Sequence, residues 1–184
     1  MTLHLSDYRN EIISHYEKCW HKKPVIHTWK EGPTHKLPDN FSILEFAPLD
    51  KRDMWTYATC CMSQPSDISP IELHLFSSVK DEGLVELLTV MTYYHKNTTN
   101  LGLNHTVNFG RPWQGKSFCD HGLISLPYLD GPELEDMNAT KFYWLIPVTK
   151  EEVEYKKKYG VTALEDKFEE KGLDYINASR KGVV

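Results

Sequence analysis

Hydrophobic and polar positions change period several times along the chain, and each change marks an element. Between residues 6 and 20, Tyr8, Ile12, Tyr16 and Trp20 recur every fourth residue and share one helical stripe, with Ser6 or Asp7 placed to cap it and Pro24 beyond its end. From 25 to 77 the period shortens. VIHTWKE, FSILEFAPL, MWTYATCCM and IELHLFS are rich in strand formers and separated by the turn-forming stretches GPTHKLPDN, DKRD and QPSDISP, which predicts an antiparallel meander. In the last segment Ile71, Leu73 and Leu75 alternate with Glu72 and His74, the period of a strand with one covered and one solvated face, so His74 is expected to be exposed. Helical spacing returns at 81–96, where Leu84, Leu87, Leu88, Met91 and Tyr94 form a stripe, acids stand at the start, and His95 and Lys96 stand at the end.

Residues 121–171 organise the rest. Two apolar runs, 122–128 and 141–148, are separated by an Asp-Gly-Pro turn and a carboxylate-rich loop and read as buried strands. Thr149 and Glu152 form a T-x-x-E capping box that starts a helix at Lys150, and Gly160 ends it. A second box, Thr162 to Glu165, predicts another helix with Ala163, Leu164 and Phe168 on its inner face. The sum is an α+β fold with a mainly antiparallel sheet packed by helices, and 184 residues suit one domain spanning 1–184.

Composition narrows the function classes. With 40% hydrophobic and 12% aromatic residues and both charge signs interspersed, the chain has the make-up of a globular protein. Its net charge of −5 offers no clustered cations for nucleic acid or anionic lipid and favours a basic protein partner. The stretch MTLHLSDYRNEII is charged by its seventh residue and lacks a signal-peptide core, and no apolar run is long enough to span a bilayer; a cytoplasmic protein is expected. Cysteines 19, 60, 61 and 119 form no C-x-x-C pair and are expected to be reduced, with Cys60 and Cys61 on opposite faces of one strand.

The candidate chemistry is thin. Gly110 to Ser117 reads GRPWQGKS, a literal match to the phosphate-cradling G-x-x-x-x-G-K-S, and a nucleotide-binding enzyme is the alternative it raises. That chemistry needs a helix immediately after the loop, whereas FCDHGLISLPY reads as a strand, so the stretch is expected to be a turn in which Trp113 packs and Lys116 is solvated. His15, Cys19 and His21 cannot aim together at one metal from one helix, and Cys119 with His121 or His105 has no nucleophile signature around it. No catalytic residue, cofactor or metal site is therefore assigned.

Several segments, in order, resemble the Suppressor of fused family, in particular its short bacterial single-domain members: MWTYATCCMS (54–63), IELHLFS (71–77), LVELLTVMTYYH (84–95), HTVNFGRPW (105–113), GLISLPYLDGP (122–132) and FYWLIPVTKEEVEYKKKYG (142–160). The first 50 residues and the last dozen carry little of it. The resemblance implies a non-enzymatic protein-binding domain. The family's founding animal member regulates transcription factors with a second C-terminal region that this chain is too short to contain. Bacterial members resemble immunity proteins, antitoxins that bind and neutralise a cognate secreted toxin, some of them LXG-type toxins with a nuclease domain; a DNase is one such target. A general regulatory scaffold is the other reading of a binding domain.

Charge placement gives this reading a candidate surface. Between Asp130 and Glu154, seven acids (Asp130, Glu133, Glu135, Asp136, Glu151, Glu152, Glu154) stand against Lys141 and Lys150, an excess as large as the chain's net charge of −5. An acidic inhibitor competes for the basic surface of a nuclease and gains on-rate from it. Glu151 and Glu152 also complement a helix start, and Glu152 with Lys156 and Glu154 with Lys158 have i,i+4 spacing, so the loop residues Asp130, Glu133, Glu135 and Asp136 are the interface candidates. Tyr128 and Trp113 are the aromatic candidates, as anchors or as core.

Overall fold

The computed structural model describes residues 5–32 and 34–184. Its elements run α1 (Leu5–Trp20), β1 (Val25–His27), β2 (Ser42–Phe46), β3 (Trp55–Cys60), β4 (Ile71–Ser77), α2 (Gly83–Asn97), β5 (Thr106–Asn108), β6 (Cys119–Ser125), α3 (Pro132–Glu135), β7 (Asp136–Met137), β8 (Thr140–Thr149), α4 (Lys150–Tyr159) and α5 (Val161–Lys171). Among the described residues all eight strands belong to one sheet, of order β1-β2-β3-β4-β8-β6-β5, with β7 pairing with β8 beside this path. The expected meander β1–β4 is present, and every pairing is antiparallel except that of β4 with β8. The fold is α+β with a mainly antiparallel sheet, as the sequence periods predict.

Strand alternation sorts the core into layers. Ile43, Tyr57, Leu73, Leu75 and Leu145 point to the face covered by α2, whose Leu84, Leu87, Leu88 and Met91 complete that core. Leu44, Phe46, Ala58, Cys60 and Phe142 point to the opposite face, onto the α1 stripe of Tyr8, Ile12, Tyr16 and Trp20. On the same side, Phe76, Trp144, Ile146 and Val148 pack against Val153 of α4 and against Leu164 and Phe168 of α5.

This layering overturns one expectation. All seven residues of β4 are buried, His74 included, because the strand is central and helices cover both faces. Alternation of polar and apolar residues there separates two buried faces rather than core from water.

Local corrections have local causes. α1 already includes Leu5, so Ser6 and Asp7 lie inside it, and the first four residues of the N-terminal stretch fall outside the described residues. Cys61 follows the end of β3 with φ of 64°, which turns its side chain into the same cluster as Cys60 instead of the opposite face. The Thr149–Glu152 box forms in full. The second box does not: α5 starts directly from Gly160, whose φ of 94° and ψ of 166° suit only glycine, and no side chain caps it. Glu152 turns inward to Arg180 and Glu154 pairs with Lys157, so neither makes the expected i,i+4 pair.

Candidate partner-binding surface

The connection from β6 to β8 carries most of the candidate residues, and it is built from the inside out. Pro127 turns the chain out of β6: its carbonyl accepts from the amides of Asp130 (2.9 Å) and Gly131 (3.1 Å). Gly131 has φ of 79° and ψ of 179°, a backbone that other residues rarely adopt, and Pro132 then opens the single turn α3. Leu134 of α3 is fully buried among the α1 residues. α1 grips the backbone on either side of that contact. His15 Nε2 lies 3.3 Å from the Leu134 carbonyl, and the Cys19 thiol points at the Glu133 carbonyl, 3.6 Å away.

Asp130 faces inward. Its Oδ1 accepts from Trp20 Nε1–H at 2.8 Å and from the Arg52 guanidinium, and its Oδ2 lies 3.5 Å from His74 Nε2. Arg52 reaches it from the turn between β2 and β3, where Leu49 and Arg52 exchange both backbone hydrogen bonds at 2.8 Å. The guanidinium is sandwiched between the rings of Trp20 and Phe76, its carbon 5.0 Å and 4.9 Å from their centroids, which suits a weakly hydrated planar cation. Burial pushes His74 down to about 4; Asp130 opposes that shift and Arg52 adds to it, so the ring is neutral at neutral pH. The result is a buried latch joining residues 20, 52 and 130, with the neutral His74 ring packed beside it.

The predicted acidic patch is therefore smaller than its sequence. Asp130 has only 3% of its side chain exposed and spends its charge on Arg52. Asp136 is exposed but pairs with Lys141 at 2.9 Å. Of the remaining acids between 130 and 154, Glu152 is bound by Arg180 and Glu154 by Lys157. Among the described residues, Glu133, exposed, and Glu135, partly exposed, are the loop acids with no cationic partner within 4.0 Å. Tyr128 and Leu129 stand beside them at 61% and 45% exposure. Trp113 is not available at the surface: at 1% exposure it packs in the α2 core.

Tyr128 and Leu129 also form one wall of a groove. Its floor is Trp144, Ile146 and Phe168, its far wall Leu173 and Tyr175, and its volume about 570 Å³. Burial in this wall and the nearby Glu165 carboxylate raise the Tyr128 phenol above its ordinary pKa. Sequence reasoning missed this groove because its parts come from β8, α5 and the segment after α5, which share no local pattern.

The phosphate-loop match resolves as a turn. The chain passes from Ser117 into β6 at Cys119 without a helix, so no helix N-terminus faces the loop. Trp113 is core, Gln114 donates to Ser77 and Asp81 at 2.9 Å each, Ser117 Oγ accepts from the Cys119 amide, and Lys116 is exposed. Cys119 is fully buried and its thiol pKa is raised by that burial, the opposite of an activated nucleophile. Among the described residues no helix is long and apolar enough to cross a membrane.

Residues 38–181 match the family model for Suppressor of fused protein (SUFU). The chain belongs to the Suppressor of fused family. A protein of Neisseria gonorrhoeae FA 1090, described as a SUFU homologue, is 31% identical and superimposes with a TM-score of 0.89 over 97% of this chain and 98% of its own. A chain of the Sufu-Fu complex shares the fold at 14% identity, with a TM-score of 0.70 over 96% of this chain and 92% of that one. Drosophila Suppressor of Fused does so at 12% identity with a TM-score of 0.65; the match takes in 94% of this chain but 50% of the fly protein, so this Suppressor of fused domain spans about half of its length. Comparison with curated proteins gives no match.

Proposed function

We propose that this Suppressor of fused family member is a protein-binding domain that works in the cytoplasm as an immunity protein: it binds a cognate secreted bacterial toxin and neutralises it by covering its active surface. The observation that carries the reading is the contrast within one loop. Tyr128, Leu129 and Glu133 are exposed within it, while Asp130, between them in sequence, is locked to Arg52 and Trp20. An exposed aromatic next to uncompensated acids, on backbone that loses little freedom on binding, is suited to a basic protein surface such as that of a nuclease. Glu133, Glu135 and Asp136 with Tyr128 are the contacting residues in this reading, and Asp130 positions them. The likeness in fold to a chain of the Sufu-Fu complex supports a protein partner in general rather than a toxin in particular.

The mechanism is occlusion, with no reaction catalysed by this chain. Coexpression with the product of the adjacent gene tests it: growth is rescued and the two proteins copurify, and Glu133→Lys with Asp136→Lys weakens the complex without unfolding the domain. An adjacent product that neither harms cells nor binds removes the immunity assignment. A partner that binds but is harmless when expressed alone assigns a regulatory scaffold instead.

A further inference from the structure

The groove between the β6–β8 loop and α5 has a lining and a rim of opposite character. Trp144, Ile146 and Phe168 make an apolar floor, with Tyr128 and Leu129 exposed at its edge. Over that floor stand Glu165, Asp166 and Glu169 of α5. Among the described residues none of these acids has a cation within 4.0 Å; the nearest lysine in sequence, Lys167, is held by Glu170, and Glu165 accepts the Ser125 hydroxyl at 3.2 Å and lies beside the Tyr128 phenol. Asp166 and Glu169 are three residues apart on α5 and Glu165 and Glu169 four, the spacings that bring like charges together on a helix surface, here beside apolar surface and without counter-charge. An apolar ligand alone leaves that repulsion in place, and a free cation leaves the floor wet. A volume of about 570 Å³ has room for more than one side chain.

We propose that this groove receives a basic amphipathic segment of the partner protein, its apolar side chains against Trp144 and Phe168 and its Lys or Arg side chains on Glu165, Asp166 and Glu169. The identity of that partner rests on the immunity reading; the chemistry of the groove does not. Binding here extends the surface of the 128–136 loop without a break, because Tyr128 and Leu129 belong to both.

The test uses the full chain and a dansylated helical peptide of leucine and lysine only, followed by fluorescence titration. Saturable binding is expected, weakened about tenfold or more in Leu129→Glu and in Asp166→Lys with Glu169→Lys, with no binding of a leucine–glutamate counterpart. These positions are at least partly exposed, and circular dichroism of each variant checks that the fold is kept. Equal binding to wild type and Leu129→Glu, equal binding of the leucine–glutamate peptide, or anilinonaphthalene sulfonate filling the groove without competition from the leucine–lysine peptide would each overturn the proposal. Displacement of the peptide by an inactivated product of the adjacent gene separates the two readings. If that product does not bind although the peptide does, the immunity reading falls and the groove stands; if it binds without displacing the peptide, the groove is not its site.

Discussion

Arg180 and Glu152 form a two-toothed ion pair in the interior, Nη1 to Oε1 and Nη2 to Oε2 at 2.8 Å each, with side-chain exposures of 6% and 0%. The same carboxylate accepts from the Thr149 amide at 2.7 Å and the Val183 amide at 3.0 Å, and Arg180 also donates to the Pro147 carbonyl at 2.7 Å. One pair thus joins the start of α4, the end of β8 and the segment that follows α5. Its geometry satisfies both ions, which is the condition for a buried pair to be tolerated.

Arg180→Met leaves the Glu152 charge in the interior with amide donors but no counter-ion, and should cost about 3–5 kcal/mol. Urea unfolding measures it, and Glu152→Gln combined with Arg180→Met should recover part of the loss. A cost under about 1 kcal/mol, the range of exposed pairs, would show that the pair is solvated in solution.

Stability should peak near pH 6.5. Glu72 is fully buried, and that burial raises its pKa from 4.5 to about 8 against the opposing bonds from the Thr59 hydroxyl and the Met62 amide. Between those values the folded state binds the extra proton, so stability falls as pH rises. Burial lowers His74 and His95 from 6.5 to about 4 each, and lowers His15 as well; there the unfolded state binds the extra protons, so stability rises with pH up to 6.5. Below 6.5 the histidines outweigh the single carboxyl, and above it Glu72 acts alone until about pH 8. Urea unfolding across this range should show the fall above 6.5, and Glu72→Gln should flatten it. A wild-type profile that keeps rising from 6.5 to 8 would show that Glu72 is ionised in the folded protein.

Periodic elements were legible because each is a property of neighbours in sequence. The α1 stripe is buried at Tyr8, Ile12, Tyr16 and Trp20, and the Thr149–Glu152 box forms with both of its hydrogen bonds. The fate of β4 was not legible, because a strand's alternation does not reveal that β8, some seventy residues later, pairs beside it and makes it central. The acidic loop misled for a related reason. Its charge was counted along the chain, while the cation that cancels Asp130, Arg52, arrives from a distant turn, as Arg180 reaches Glu152 of α4 from the segment after α5. Trp113 was open between anchor and core, and only the packing of α2 decides for core.

Gly122 in β6 marks a close approach that has no sequence signature. A Cβ there would stand 2.6 Å from Leu145 Cδ1 and 2.7 Å from Phe109 Cζ. Gly122→Ala should therefore destabilise by overpacking, about 1–3 kcal/mol, and Phe109→Leu in the same chain should recover part of it. Thermal unfolding of the single and double variants checks the coupling; additive losses would place the strain elsewhere.

The latch at Asp130 predicts that loop order and partner binding change together. Asp130→Ala removes the counter-charge of Arg52 and the acceptor of Trp20 Nε1–H, so the guanidinium stays between Trp20 and Phe76 with its charge uncompensated. A loss of about 3 kcal/mol or more is expected, close to the cost of breaking a buried pair. Part of it should appear locally: amides of 128–136 should exchange faster relative to those of β4 and β8, because the loop then keeps its Leu134, His15 and Cys19 contacts but loses its buried ion pair. Asp130→Asn keeps the shape and the acceptor for Trp20 but not the charge, and should fall between wild type and alanine. Hydrogen exchange followed by mass spectrometry reads the loop separately from global unfolding. If all segments accelerate by the same factor, Asp130 is a stability residue only; if 128–136 leads, it positions Tyr128 and Glu133, and partner affinity should fall in the same order as loop protection.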